Sequence, residues 1–496
     1  MNEKVRLSKS LYTRGLQCVK SLWLKKYNKD VLTPPNATAE AIFETGNEVG
    51  ELACQLFPNG IEVEFNPKDY DGMISTTQEL MNGGVKSIYE ASFKYDDIFV
   101  AVDILHVNND GSVEIYEVKS STHVKDVYKH DASIQYYVLN GLGYRVNKVS
   151  IVHINNKYTR DEELEIEKLF TIADITDEVK ELQGDIPTYL STFENFLKDS
   201  ESEPQKDIGT HCSNPYDCDA IDYCWSHIPE YSIFDISRLK SDKKFELYNQ
   251  GIVNFTQIPD ISNFSTAQQI QIESELTNKT IVNQEAIKEF VDNLSYPIYH
   301  LDFETFQQAI PQWKGIVPFV QIPFQYSIHV ESEDGELEHK EFLAEDGFDP
   351  RYELAKKLVE DIPTDVTVLA YNMGFEKGVI RKLAEQFEEF SYHLMCIHDN
   401  IQDLMTPFQK KDYYTPSMRG SYSIKYVLPA LVPEMAKAYE DLNGIQNGSD
   451  AMNAFPKLSS MNPEEKEKTR KALLEYCKLD TLAMVKVLEK LKESSR

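Results

Sequence analysis

The chain has 496 residues, of which 41% are hydrophobic and 11% aromatic, and its formal net charge is −30. This length exceeds one ordinary hydrophobic core and predicts two or three domains, while the composition excludes a disordered chain. The acidic balance argues against a protein coated with nucleic-acid-binding or membrane-binding surface, although a local basic groove is compatible with it.

Targeting and compartment signals are weak in this sequence. The first ten residues, MNEKVRLSKS, contain no apolar leader segment, and no apolar run approaches the roughly 18 residues of a membrane span. We therefore expect a cytoplasmic protein without a membrane partner, in which the seven cysteines are thiols rather than disulfides. No GK[ST] phosphate-binding loop occurs, which argues against a nucleotide-driven motor.

Three regions follow one another along the chain. Residues 1–230 mix helical patterns with short strands such as IFVAVDILHV and SVEIYEVKS. Residues 231–295 predict a helical linker, in which FELYNQGIVNFTQIPD resembles a helical hairpin that binds the DNA backbone, with Gly251 at the turn. Helix–glycine–helix patterns are also common in plain linkers, and that interpretation ranks first. From residue 296 onward strand and helix signals alternate, so we predict an α/β fold.

The first chemically unusual pattern lies on a predicted hairpin. VAVDILHV places Asp103 in an apolar strand, the turn signal NNDG follows, and EIYEVKSST then carries Glu117 and Lys119. Because side chains alternate between the faces of a strand, Glu117 and Lys119 point to the same side. Pairing of the strands would bring Asp103 close to both. The pattern predicts either a half-buried ion pair or a site that holds Mg²⁺ or Mn²⁺, with the lysine orienting a water molecule.

The segment after this hairpin favours the metal site. HDASIQYYVLN predicts a helix on which Asp131 and Gln135 lie four residues apart, on one face. Asp103, Glu117 and Lys119, followed by a helix that carries Gln135, resemble the PD-(D/E)xK nucleases of the RecB-like branch.

This resemblance covers about residues 1–230 and implies a nuclease fold with a metal-dependent active site. The implied catalytic residues are Asp103, Glu117, Lys119 and Gln135. In such a site the carboxylates of Asp103 and Glu117 hold the divalent ion.

The remaining ligand of this metal departs from the family pattern. The predicted helix FETGNEVGELACQLFP is similar to the first motif of the branch, in which a histidine or glutamate often completes the metal site. Gly50 stands at the usual histidine position. Glu48 and Glu51 are therefore the candidate ligands on this helix.

Four cysteines form a second pattern in the same region. HCSNPYDCDAIDYCW separates Cys212, Cys218 and Cys224 by five residues each, and Cys18 stands alone near the start. Four thiols satisfy either a 4Fe–4S cluster or a structural zinc, but zinc sites usually separate their cysteines by about two to four residues. Some RecB-like nucleases carry one N-terminal and three C-terminal cysteines around an iron–sulfur cluster, which the resemblance implies here. The three other cysteines are expected to be ordinary buried thiols: Cys54, Cys396 and Cys477.

A second set of carboxylates occupies the C-terminal region. YHLDFETF places Asp302 and Glu304 on one face of a strand, where like charges repel unless a cation lies between them. LAYNMGFEKGVI then puts Glu376 just after an apolar strand. LLEYCKLDTLAMVKVL predicts an amphipathic helix that presents Tyr476 and Asp480 on one side. One acidic group of this kind is usually a solvated surface residue, but three motifs in this order predict a metal site.

The three motifs resemble the DEDD exonucleases of the RNase H-like fold, in their tyrosine subclass. Asp302 and Glu304 match the first motif, and Tyr476 and Asp480 match the third. Glu376 stands where the family has aspartate, so the second motif departs from the pattern. The resemblance implies four carboxylates that hold two divalent ions, with Tyr476 orienting the attacking water.

Taken together, the motifs predict an α/β enzyme with two nuclease sites. A RecB-like domain would span 1–230, a helical linker 231–295 and an RNase H-like domain 296–496. The expected partner is nucleic acid, with DNA ends or single strands as substrate, in repair, recombination or defence against foreign DNA. The alternatives are an RNA-processing exonuclease and a nucleic-acid-binding scaffold with decayed sites.

Overall fold

A computed structural model describes residues 7–496. The first six residues of MNEKVRLSKS, in which no apolar leader is expected, therefore lie outside the described range. The chain divides into two compact units. The first comprises the residues up to His227 together with Gln308–Val320, and the second comprises Ile228–Gln307 and Gln321–Arg496. Both units combine strands with helices, which confirms the expected α/β class.

The first unit contains one mixed sheet and the helices packed on it. Its strands are β1 (Leu7–Ser8), β2 (Ile61–Glu62), β3 (Ser87–Tyr95), β4 (Ile98–Val107), β5 (Val113–Lys119), β6 (Val146–Ile154) and β7 (Phe170–Asp174). Its helices are α1 (Lys9–Gln17), α2 (Val19–Tyr27), α3 (Ala37–Ala53), α4 (Tyr70–Asn82), α5 (Asp126–Gly141), α6 (Ile166–Leu169), α7 (Thr176–Leu182), α8 (Ile186–Leu197) and α9 (Ile221–Cys224).

The strands of this sheet follow the order β2-β3-β4-β5-β6-β7, and β1 pairs in parallel with β4. The predicted hairpin is confirmed, because β4 and β5 are antiparallel with Ile104 opposite Tyr116. This register sets Asp103 across from Glu117. Helix α5 connects β5 to the parallel strand β6 and packs on the sheet, while α3 packs against β5.

The first unit also includes a short segment from the later part of the chain, Gln308–Val320. The Arg160 guanidinium donates to the carbonyl of Pro311 at 2.7 Å, and Ala309 is buried in the same apolar cluster as Val49. The predicted boundary at residue 296 does not account for Gln308–Val320, which belongs to the first unit. Long-range packing rather than a local sequence signal places this segment there.

The second unit is built on a separate five-stranded sheet. The strands of this sheet are β9 (Ile298–Phe306), β10 (Ile322–Glu331), β11 (Leu337–Leu343), β12 (Thr367–Ala370) and β13 (Ile401–Asp403). Two further strands, β8 (Ile281–Val282) and β14 (Tyr413–Tyr414), form a separate antiparallel pair. Its helices are α10 (Ser241–Asn249), α11 (Thr266–Thr277), α12 (Gln284–Asp292), α13 (Arg351–Asp361), α14 (Met373–Gln386), α15 (Glu388–Asn400), α16 (Thr406–Gln409), α17 (Ile424–Leu431), α18 (Gly448–Ala454) and α19 (Pro463–Ser494).

The sheet has the order β11-β10-β9-β12-β13, with β9 at its centre, antiparallel to β10 and parallel to β12. Helix α19 packs against β9 and β10. Residues 231–295, which the sequence predicts as a linker, contain α10, α11 and α12 and belong to this unit. They do so because apolar groups of this region, such as Ile287, are buried in one cluster with α19 residues such as Leu488.

Helix α19 is 32 residues long and presents a buried side to the sheet. The side chain of Asn462 caps its N-terminus by accepting hydrogen bonds from the backbone of Glu464 and Glu465. Its buried residues include Tyr476 and Asp480, whereas its outer side is rich in charge. Within residues 7–496, no helix combines the length and apolar composition needed to cross a membrane.

Candidate functional sites

The first cluster of predicted residues comes together where β5 faces α5. The Lys119 ammonium donates to Glu117 Oε1 at 2.6 Å and to Asp131 Oδ2 at 2.7 Å. The Gln135 amide donates to Glu117 Oε2 at 2.6 Å. Glu117 is 0% exposed, and the Gln135 Oε1 atom is buried without a hydrogen-bond partner. The predicted strand and helix therefore deliver these four side chains to one buried point.

Asp103 and an unpredicted lysine complete this cluster. The backbone N–H of Val118 donates to Asp103 Oδ2 at 2.7 Å. The Lys9 ammonium donates to both oxygens of Glu117, at 2.8 and 3.0 Å, and lies 3.7 Å from Asp103 Oδ1. Lys9 begins α1, directly after β1 pairs with β4. No local pattern marks it in the sequence, because its partner is 108 residues away.

The charges in this cluster shift one another's pKa values. Burial alone would raise the pKa of Glu117, but Lys119 and Lys9 outweigh burial and hold it well below its usual range. Burial raises the pKa of Asp131 to about 6, against the opposing effect of Lys9. Burial and the nearby Glu117 also raise the pKa of Asp103. Glu117 therefore holds a proton less tightly than Asp103 and Asp131 do.

A further carboxylate, Glu90, lies beside Asp103 and was missed by the sequence analysis. It sits on β3 with a φ of 54°, and burial together with Asp103 raises its pKa to about 7. A lone carboxylate in the otherwise apolar run SIYEASF is the signal that would have identified it. The structure leaves the predicted candidates Glu48 and Glu51 at exposed positions of α3. A side chain at Gly50 would meet no atom within 4 Å.

The four predicted cysteines line one small cavity of the first unit. They are Cys18, Cys212, Cys218 and Cys224, and all are free thiols. Burial raises the pKa of Cys18, and it raises that of Cys224 to about 11. In the described range, no three of these sulfur atoms all lie within 4.8 Å of one another.

The second cluster lies on the central strand and the long helix of the second unit. Asp302 and Glu304 project from β9 towards Cys477 of α19, and metal-ligating atoms of the three residues all lie within 4.8 Å of one another. The Cys477 sulfur is 3.7 Å from Asp302 Oδ2. Cys477 is buried, as expected, but the structure places it at the predicted carboxylate site.

Glu376 and Asp480 complete the set of four carboxylates. Glu376 lies in the first turn of α14, which begins after Asn372 adopts a left-handed conformation with φ 76°. Its Oε2 atom is buried without a hydrogen-bond partner, and burial together with Asp403 raises its pKa to about 8. The pKa of Asp302 is raised by burial and by the other carboxylates, including Asp480. Asp302 and Glu304 are therefore held close to the negative charges of Asp480 and Glu376.

Two tyrosines and a lysine surround Asp480. The Tyr439 hydroxyl donates to Asp480 Oδ1 at 2.5 Å. Burial raises the pKa of Asp480 to about 6, although the nearby hydroxyls of Tyr439 and Tyr476 act in the opposite direction. The Lys425 ammonium lies 5.3 Å from the ring centroid of Tyr439 and 5.6 Å from that of Tyr476. Burial and the charge of Asp480 raise the pKa of Glu304 well above its ordinary value, and the Lys425 cation opposes this increase. Tyr439 and Lys425 were missed because they follow no motif spacing.

Comparisons with known proteins give relatives without a described activity. A family model for a domain of unknown function, DUF2779, matches residues 299–423, which include Asp302, Glu304 and Glu376. The chain is 30% identical to an uncharacterized protein of Ureaplasma parvum serovar 3 over 227 residues, or 43% of this chain and 32% of the relative. It is 26% identical to an uncharacterized protein of Mycoplasma genitalium over 207 residues, or 38% of this chain and 31% of that relative. The chain spans about a third of the length of these curated relatives.

Proposed function

We propose that the protein is a metal-dependent nuclease with two separate active sites, which hydrolyse phosphodiester bonds in DNA ends or single strands. The observation that carries the proposal is the second cluster. Asp302 and Glu304 lie together there beside Cys477, and the charges of Asp480 and Glu376 act on both carboxylates. Glu376 is 2% exposed and has an oxygen without a hydrogen-bond partner. Buried like charges are costly unless cations lie between them, so this donor set fits divalent ions.

In the second site the residues divide into metal holders and groups that handle water. Asp302, Glu304, Glu376 and Asp480 would hold Mg²⁺ or Mn²⁺, which prefer carboxylate oxygens. Bound ions of this kind supply a water of lowered pKa and neutralise the charge on the leaving oxygen. Tyr476, one helical turn before Asp480, would orient the attacking water. The motif order and the tyrosine support an RNase H-like exonuclease of the DEDD type, acting from a 3′ end.

In the first site the all-oxygen donor set also fits a divalent ion. Asp103 and Glu117 would hold Mg²⁺ or Mn²⁺, and the free Oε1 of Gln135 offers a further oxygen. Lys119 already contacts Glu117 and Asp131, so its ammonium is positioned to orient a water and to stabilise developing negative charge. This arrangement supports a RecB-like PD-(D/E)xK site.

The cysteine cavity would hold a 4Fe–4S cluster. Its four thiols come from the start and the end of the first unit's main segment and line one cavity. The five-residue separations of Cys212, Cys218 and Cys224 in the sequence are longer than those usual in zinc sites. A cluster bound there would tie Cys18 to the segment that carries Cys212, Cys218 and Cys224. Its contribution would be structural, because the carboxylates and lysines of the first site supply the hydrolytic chemistry.

Release of acid-soluble nucleotides from labelled DNA and RNA tests this function. The full chain should release nucleotides from DNA when Mg²⁺ or Mn²⁺ is added and release none in EDTA. Preferential release from RNA would indicate an RNA-processing enzyme instead. Binding without release, in either metal and on either polymer, would identify a nucleic-acid-binding scaffold.

A further inference from the structure

One exposed aromatic side chain connects the cysteine segment with the first carboxylate site. Tyr216 lies between Cys212 and Cys218 and is 49% exposed. The Lys125 ammonium lies 5.9 Å from the centroid of its ring. Lys125 is exposed at the start of α5, and it forms no ion pair with any residue in the described part of the chain.

This pair continues inward to the site itself. The Lys125 ammonium also lies 5.8 Å from the ring centroid of Tyr128. The Lys119 ammonium lies 5.5 Å from the same centroid and donates a hydrogen bond to Glu117. Tyr128 is only 7% exposed, and its hydroxyl lies close to that of Tyr216. Tyr216, Lys125 and Tyr128 therefore form a continuous ledge that ends at Lys119.

The backbone of the cysteine segment fixes the outer end of this ledge. The Gln17 amide donates to the carbonyl of Tyr216 at 2.7 Å and to the carbonyl of His211 at 2.9 Å. Gln17 directly precedes Cys18, and His211 directly precedes Cys212. Gln17 and His211, which are adjacent to two of the four cysteines, therefore help to fix the position of the Tyr216 backbone.

The composition of the ledge indicates what it would bind. Tyr216 leaves half of its surface open beside a cation with no acidic partner, whereas Tyr128 is buried. An open aromatic ring next to a lysine matches the two parts of a nucleotide, because bases stack on aromatic rings and phosphates pair with ammonium groups.

We propose that Tyr216 and Lys125 bind one nucleotide of a single-stranded nucleic acid next to the bond cut at the first site. The base stacks on Tyr216 and the phosphate pairs with Lys125, so the cysteine segment contributes directly to substrate binding. This inference rests on the nuclease function proposed above for Asp103, Glu117 and Lys119. A base held inside a duplex is already stacked on its neighbours, so the ledge should favour single strands.

Cleavage kinetics of the full chain carrying Asp302→Ala, which silences the second site, test this inference. In that background Tyr216→Ala should raise the KM for single-stranded DNA by about 5- to 150-fold, the loss typical of one stacked base, with kcat changed by less than about threefold. Tyr216→Phe keeps the ring and should stay close to the parent. Tyr223→Ala is the matched control, because Tyr223 belongs to the same segment and is 36% exposed, but its ring faces Lys20.

A direct contact test accompanies the kinetics. Oligonucleotides that contain 5-iodouracil should crosslink to Tyr216 on irradiation, as mapped by mass spectrometry, in a single-stranded DNA or RNA arm and not in a duplex arm. The single-stranded polymer, DNA or RNA, that gives the higher yield of crosslinks to Tyr216 is the one that the protein prefers to bind. An unchanged KM for Tyr216→Ala, an equal loss for Tyr223→Ala, or crosslinks confined to other residues would each overturn the proposal.

The iron content of each variant should be measured, because a loss of iron would show that the substitution has disturbed the folding of the cysteine segment. If Tyr216→Ala loses iron, the Lys125→Ala variant becomes the test of the proposal, because Lys125 lies outside the cysteine segment. That variant should weaken binding and reduce its salt dependence, and Lys125→Arg should restore both. A Lys125→Ala variant with unchanged binding would count against the ledge. If the parent cleaves DNA and neither substitution has an effect, the inference about Tyr216 and Lys125 is wrong but the nuclease function is not affected. If the parent shows no metal-dependent cleavage, the proposed nuclease function itself is wrong.

Discussion

The Lys9 ammonium donates hydrogen bonds of 2.8 and 3.0 Å to the two carboxylate oxygens of Glu117, although 108 residues separate them in the chain. Because Lys119 reaches the same carboxylate at 2.6 Å, one buried anion is neutralised by two cations from opposite parts of the first unit. The start of the chain is therefore a structural part of the first site.

Replacing Lys9 with methionine should destabilise the first unit and weaken its activity. The substitution removes two hydrogen bonds to a buried charge, each of a class worth about 1.5–3 kcal/mol, although Lys119 remains to compensate in part. We expect a loss of about 1–3 kcal/mol in the free energy of unfolding, measured by urea denaturation. Lys129→Met is the control, because its pairing with the 91% exposed side chain of Asp126 should be worth less than about 0.5 kcal/mol. Equal losses for the two variants would contradict this role of Lys9.

The local parts of both sites could be predicted from the sequence. β4 coincides with the predicted strand IFVAVDILHV, and β9 lies within YPIYHLDFETF, because apolar runs bounded by turn signals are local features. The alternation of side chains along a strand then places Glu117 with Lys119, and Asp302 with Glu304. These pairs needed no knowledge of tertiary structure.

The remaining parts depend on contacts between distant segments. Lys9 reaches Glu117 only because β1 pairs with β4, and Tyr439 reaches Asp480 across 41 residues. Neither follows a periodic pattern, so a single sequence offers no signal for them. The excursion of Gln308–Val320 into the first unit has the same origin in long-range packing.

The two tyrosines next to Asp480 should have distinguishable roles. Tyr476→Phe removes the hydroxyl that we propose orients the attacking water. It should lower turnover by about 10²–10⁴-fold, with little change in the Mn²⁺ concentration that gives half-maximal activity. Tyr439→Phe removes the 2.5 Å hydrogen bond to Asp480, so it should mainly shift that Mn²⁺ concentration, by up to about tenfold. Titration of activity with Mn²⁺ separates the two effects. Identical profiles for both variants would show that Tyr476 has no special part in the chemistry.

Glu376 should make the metal-free protein less stable as the pH rises. Its pKa is about 8 in the fold against an ordinary value of 4.5, so its favourable contribution is complete below about pH 4.5 and is lost as the pH rises through about 8. Glu376→Gln does not titrate, so its Tm in EDTA should rise relative to the parent between about pH 5 and pH 9. Thermal melts in EDTA at several pH values measure this difference. A constant difference across the range would show that Glu376 is not held at a raised pKa.

The cysteine cavity should bind iron when the protein is purified without oxygen. Iron and acid-labile sulfide should be present in the parent and lost in Cys18→Ser, Cys212→Ser, Cys218→Ser and Cys224→Ser. Cys396→Ser is the control and should keep its iron, because Cys396 does not line the cavity. Stoichiometric zinc without iron in strictly anaerobic protein would establish a zinc site instead.

Single substitutions in each carboxylate cluster test the central claim of two independent nuclease sites most directly. Release of nucleotides from 3′-labelled and 5′-labelled single-stranded DNA should be measured with Mn²⁺ for the parent, Asp103→Ala, Asp302→Ala and the double variant. We expect Asp302→Ala to abolish stepwise release of 5′-mononucleotides from the 3′ end and to leave a second metal-dependent activity. Asp103→Ala should remove that second activity and keep the first, and the double variant should be inactive. Complete loss of one and the same activity in both single variants, or full activity in the double variant, would contradict the claim.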